Sequence, residues 1–167
     1  LRTGQSRELV GRLKEGIAKE PGNVTLVAAL ANAYDMLYQQ EMQAGTEGAA
    51  NEYYMEATTT YEKALKIDSK NFESLYGLGA LYYNKAALET KTLVSLGEDF
   101  SEEGMQKYDA KKKEVQEIMK QALPYFQKAE ALMPNDISTL LALKEVYANT
   151  EDLKMSKIFK DRLETVQ

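Results

Sequence analysis

Val27, Leu30, Tyr34 and Leu37 recur at intervals of three and four residues, which places them on one stripe of an α-helix. Leu75, Leu78 and Tyr82 repeat that stripe, and Leu140, Leu143 and Tyr147 repeat it again. Two other segments, from Tyr61 to Asn71 and from Phe126 to Asp136, carry an apolar stripe through a small residue into a polar turn that can cap a following helix. The pattern predicts helices throughout.

The helices share one register. Tyr34, Tyr82 and Tyr147 are separated by 48 and 65 residues. The same two spacings, 48 and 65, relate Gly16, Ala64 and Ala129; Leu13, Tyr61 and Phe126; and Pro21, Ser69 and Pro134. Each unit is thus a pair of helices, and the chain divides as a single helical-repeat domain over residues 1–167. Residues 7–20 supply the second helix of a truncated repeat. Residues 24–68 form a repeat with a short insertion, 72–133 a repeat with a long insertion at 85–117, and 137–166 a C-terminal capping repeat. The chain opens on Leu1 and the polar stretch Arg2 to Ser6, which leads to the expectation that upstream sequence has been removed.

Leu78, Gly79 and Tyr82, followed by Ala122, Phe126, Ala129 and Pro134, resemble the tetratricopeptide repeat, a helix-turn-helix unit of about 34 residues. The resemblance implies an all-α fold, an α-solenoid of antiparallel helix pairs with about seven helices. Ala31 and Lys144 stand where the family prefers glycine, and Ser156 and Lys160 weaken the last helix, as suits a solvent-facing cap. The extra length must lie at the turn within each pair, because both helices keep register. In the second full repeat this predicts elongated helices turning near Leu96 to Ser101 and forming a protruding arm of about 20 Å. A shorter version turns near Ala44 to Gly48.

Two residue types disrupt helices and need a reason. Gly77 and Gly79 cost roughly 1 kcal/mol each inside a helix, so Gly79 is expected to admit a close-packed neighbour. Pro124 removes a hydrogen bond from its helix, and a kink or break is expected near Lys120 to Leu123.

Composition narrows the chemistry. A hydrophobic share of 44%, with 28% charged residues and 3 Pro among 167, suits a folded chain with a real core. There is no Cys and no His, so no disulfide, thiolate metal site, cysteine nucleophile or imidazole base can be built. No Gly-rich phosphate loop or metal loop occurs. The expectation is no enzyme, no catalytic residues, no cofactor and no metal. The net charge of −5 gives no general attraction to nucleic acid. The longest charge-free apolar run, Val24 to Tyr34, is too short for a membrane span.

Lys111, Lys112 and Lys113 are expected on a solvated face, balanced by Glu103–Lys107, Asp109–Lys113 and Lys113–Glu117 pairs. Glu102–Glu103 and Glu151–Asp152 sit at helix starts. Of the 11 Tyr, Tyr34, Tyr61, Tyr82 and Tyr147 occupy packing positions, whereas Tyr76 and Tyr83 fall on the opposite face of their helix.

In the family resembled, first helices line a concave wall that binds peptides or partner helices. Carried over, the wall presents Thr25, Ala28, Asn32, Asp35 and Met36, then Glu73, Tyr76, Ala80, Tyr83 and Asn84, then Ser138, Leu141, Glu145 and Asn149. The residues expected to contact a partner are Asn32, Asp35, Met36, Glu73, Tyr76, Tyr83, Asn84, Glu145 and Asn149. Members that clamp a C-terminal carboxylate use Lys, Arg and Asn at positions where this chain has Ala28, Gly77, Ser138 and Ala142; only Asn32 fits, so no carboxylate clamp is expected. The implied partner is a protein or peptide. The alternative is a structural segment of a larger assembly, a homo-oligomer formed through the arm or an open N-terminal face. The stretch Ala122 to Phe126 is similar to bacterial repeat proteins, many of them exported, which favours a periplasmic or cell-envelope location.

Overall fold

The computed structural model describes residues 2–166, in which seven α-helices follow one another: α1 (Arg2–Lys19), α2 (Val24–Ala44), α3 (Glu47–Ile67), α4 (Phe72–Leu96), α5 (Glu102–Leu132), α6 (Ile137–Asn149) and α7 (Leu153–Val166). No strand occurs among the described residues. α1 starts at Arg2, ahead of the expected Arg7.

The turns explain why helices begin where they do. Asn23, Asn71 and Asp136 occupy one register position, and each side chain accepts a backbone N–H three residues on: Leu26 at 3.2 Å, Ser74 at 2.9 Å and Thr139 at 2.8 Å. Each satisfies an otherwise unpaired donor at a helix start, worth about 1 kcal/mol. The preceding helices also end alike. Glu20, Asp68 and Met133 donate their N–H groups to Gly16, Ala64 and Ala129, all at 2.9 Å. Turns between repeats are therefore three copies of one structure.

Turns within a repeat differ. α2 ends at Gly45, whose φ of 75° lies in the left-handed region, and Thr46 donates back to the Glu41 carbonyl at 3.0 Å. α6 ends in the same geometry, with Asp152 donating to the Tyr147 carbonyl at 2.9 Å, but the left-handed residue is Glu151 at φ 67°. Glu151 is thus the residue that reverses the chain, not the start of α7; Asp152 caps α7 by accepting from Met155 at 3.1 Å.

Contacts divide the chain into two compact units, Leu1–Leu78 and Gly79–Gln167, with the boundary inside α4. In the first unit Val27, Ala31, Leu37, Tyr61, Ala64, Leu75 and Leu78 are buried. In the second, Leu81, Phe126, Ala129, Leu140, Leu143 and Val146 are buried. Each large apolar side chain so placed contributes about 1.5–3 kcal/mol before the entropy of ordering is subtracted.

The register tyrosines share an environment. Tyr34 stacks on Tyr53 at 6.2 Å, Tyr82 on Tyr125 at 5.9 Å and Tyr147 on Phe159 at 5.7 Å, in each case a ring of the following helix. Tyr34 and Tyr147 are buried, while Tyr82 is half-buried. Gly77 and Gly79 each admit a ring. A Cβ on Gly79 would lie 2.9 Å from Phe126, and one on Gly77 would lie 2.6 Å from Tyr61. Tyr61 and Phe126 are themselves register equivalents.

α4 and α5 are long. α4 has 25 residues against 13 in α6, an excess of about 18 Å at 1.5 Å per residue. The two arm helices are tied by Lys111, whose Nζ lies 2.6 Å from Glu89 and 3.2 Å from Glu114. Lys112 reaches Glu151 at 2.9 Å. The lysine run is therefore not simply a solvated face. Glu103–Lys107 forms at 2.7 Å, but Asp109–Lys113 and Lys113–Glu117 are not among the ion pairs of the described residues.

α5 passes through Pro124 without the break that was one of the two expected outcomes there. Pro124 and Lys120 are both exposed, so water can satisfy the carbonyl that loses its partner, while Met119, Ala122, Phe126 and Ala129 stay buried on the opposite side.

Candidate functional site

In the first unit, α2 presents Asn32 and Met36 to solvent, with Met36 51% exposed. These lie opposite the stripe of Leu30, Tyr34 and Leu37 that fixes the helix against its neighbours. Ala28 departs from the expected wall, being fully buried. A single methyl lies below the longer side chains of Thr25 and Asn32 one turn to either side.

Asn32, Asp35 and Glu73 gather around one hydroxyl. Tyr61 donates its O–H to Asn32 Oδ1, which turns the Asn32 Nδ2 group outward as a donor. Burial pushes the Tyr61 hydroxyl well above the usual tyrosine range, and the carboxylates of Asp35 and Glu73 push it further. The hydroxyl stays protonated and donating. Asp35 is itself raised by burial, offset in part by a 3.0 Å hydrogen bond from Gln39 Nε2. Tyr76 stacks on Phe72 with ring centroids 6.2 Å apart, leaving a flat aromatic surface on the first turns of α4.

In the second unit, Tyr83 and Asn84 are half-buried on α4. Burial and then the nearby Glu145 raise the Tyr83 hydroxyl. Glu145 pairs with Lys144 at 2.8 Å, so its charge is partly balanced at the surface. Asn149 donates Nδ2 to the Glu145 backbone carbonyl at 2.8 Å, which turns its amide back on its own helix. Tyr83 and Glu145 are thus brought together, and Asn149 is tied to Glu145 only through the backbone carbonyl.

Such surfaces offer amide donors, carboxylate acceptors and aromatic rings, the groups that hold a peptide backbone and its basic or apolar side chains. Sequence reasoning places Tyr61 in the core and misses its hydroxyl. The signal lies in the register: Leu13 and Phe126, its equivalents, have none, so an oxygen at Tyr61 needs a separate partner. No group of His, Cys, Asp or Glu suited to a metal occurs among the described residues. None of the described helices is long and apolar enough to cross a membrane.

The family described as TPR repeat matches residues 48–85, less than a quarter of the chain. That segment is α3 and the first half of α4, a second helix followed by the next first helix. No curated protein matches the chain. A solved structure of a mutant of MamA aligns over 99% of this chain and 98% of its own, at 16% identity and a TM-score of 0.30. A superposition that loose supports no inference. Residues 48–85 are thus similar to a tetratricopeptide repeat, and the register of Tyr34, Tyr82 and Tyr147 and the three like inter-repeat turns carry the same two-helix pattern beyond them.

Proposed function

We infer that this protein is an interaction module whose first helices hold an extended peptide or a partner helix, without a carboxylate clamp and without catalysis. The observation that carries this reading is the division of labour on α2 and α4. One side of each helix is locked into the core, while Asn32, Met36, Glu73, Tyr76 and Tyr83 extend from the other side. The Tyr61–Asn32 hydrogen bond supports it further, because it fixes an amide in advance and lowers the entropy cost of binding. Asp35 and Glu73 suit a partner segment carrying Lys or Arg; Tyr76 and Met36 suit an apolar neighbour on the same segment.

Selection of displayed peptides against the intact protein tests this. Selected peptides are expected to lose at least about tenfold in affinity on Tyr76→Ala or Glu73→Lys, a loss of about 1.4 kcal/mol or more, with thermal stability retained. Peptides that bind equally well to these variants and to Tyr83→Ala would contradict the proposal.

A further inference from the structure

The end of the α4–α5 hairpin is a built turn that displays apolar side chains. Gly97 donates to the Leu93 carbonyl at 2.9 Å and closes α4. Asp99 accepts the Ser101 N–H at 3.0 Å, and Ser101 Oγ accepts the Gly104 N–H at 3.0 Å, capping α5. Gly104 leaves room for Asp99, which any side chain there would displace. Between these fixed points Phe100 is 85% exposed, and Val94 and Met105 are 71% and 52% exposed. A cleft of about 340 Å³ beside Phe100 is lined by Leu96, Met105 and Tyr108 and by Asp99 and Asp109. Scattered exposed apolar residues are ordinary, but a cluster around a cleft on a capped turn marks a contact surface.

Charge selects the partner. Residues 94–109 contain Glu98, Asp99, Glu102, Glu103 and Asp109 against Lys107 alone, and Lys107 is engaged by Glu103. A second copy of this chain, with net charge −5, meets that rim with like charge, as does an anionic lipid surface. We propose that this hairpin end docks a partner protein presenting an apolar side chain flanked by Lys or Arg. Phe100 enters the partner surface, the cleft receives the apolar side chain, and Glu98, Glu102 and Asp109 face its cations. This surface is separate from the first-helix faces, so either assignment can fail alone.

The test uses the intact ¹⁵N-labelled protein and a synthetic amphipathic helix of about 18 residues with a Leu/Phe stripe flanked by Lys. Controls are the same peptide with Glu for Lys, and one with Ser for the stripe. The Lys peptide is expected to shift the amides of Gly97, Phe100 and Gly104, with both controls and the Phe100→Ala variant weaker by at least about tenfold. Added salt weakens the binding. Phe100 contributes little to the core, so Phe100→Ala keeps its melting temperature and the loss reads binding alone. Shifts elsewhere, equal binding of the Glu peptide, or undiminished binding to Phe100→Ala would overturn the proposal. So would tip shifts that appear with protein concentration alone, which assign the surface to a second copy, or only with anionic vesicles, which assign it to a membrane.

Discussion

Gly77 of α4 lies directly against the ring of Tyr61 on α3, so close that a Cβ at Gly77 would stand 2.6 Å from the ring atoms. Two residues on, Gly79 does the same for Phe126 at 2.9 Å. One helix thus admits two register-equivalent rings. Alanine at either site gains roughly 1 kcal/mol of helix propensity but overpacks by about 1–3 kcal/mol. Thermal or denaturant melts are expected to show both variants destabilised, Gly77→Ala more than Gly79→Ala because its contact is shorter. Tyr61→Leu should rescue Gly77→Ala but not Gly79→Ala.

The Tyr61–Asn32 hydrogen bond makes an asymmetric prediction. Removing the hydroxyl with Tyr61→Phe leaves Asn32 exposed to water and costs about 1 kcal/mol or less. Removing the acceptor with Asn32→Ala strands a buried hydroxyl and costs about 1–3 kcal/mol. The double variant is expected to be no less stable than Asn32→Ala alone, which a double-mutant cycle in denaturant measures.

Asp35 makes stability depend on pH. Burial raises its folded-state value above that of the unfolded chain, so its contribution is fully present below the ordinary aspartate value of about 4 and is lost as pH rises through the raised value. Asp35→Asn is therefore expected to raise the melting temperature at pH 7. The gain should shrink as pH falls towards 4 and vanish below it.

The turns at Gly45 and Glu151 predict opposite effects of opposite changes. Gly45→Ala places a Cβ in the left-handed region and costs about 1 kcal/mol. Glu151→Gly relieves that same strain and is expected to raise the melting temperature, although it gives up the exposed contact with Lys112. A lower melting temperature for Glu151→Gly would show that the Lys112 contact outweighs the backbone.

Much of the fold is legible in the sequence because it repeats. Tyr34, Tyr82 and Tyr147 announce their equivalence through spacing, and the caps at Asn23, Asn71 and Asp136 follow the same spacing. What fails depends on which side of a helix meets water. Pro124 reads as a disruption because the sequence does not show that it and Lys120 face solvent. The lysine run reads as paired only within its own helix, since such partners are visible in sequence; Lys111 does keep Glu114 on α5, but Glu89 and Glu151, which Lys111 and Lys112 also reach, lie on other elements. On the candidate wall, Asn32 and Glu73 are readable from the helical face, but the hydroxyl that organises them comes from Tyr61 on another helix.

The most direct measurement of the central claim is amide chemical-shift mapping of the intact protein with a selected peptide bound. The account predicts that the shifts concentrate on the first helices, at Asn32, Met36, Glu73, Tyr76, Tyr83 and Glu145, and spare the outward residues of α3, α5 and α7. Shifts concentrated on those second helices instead would contradict it.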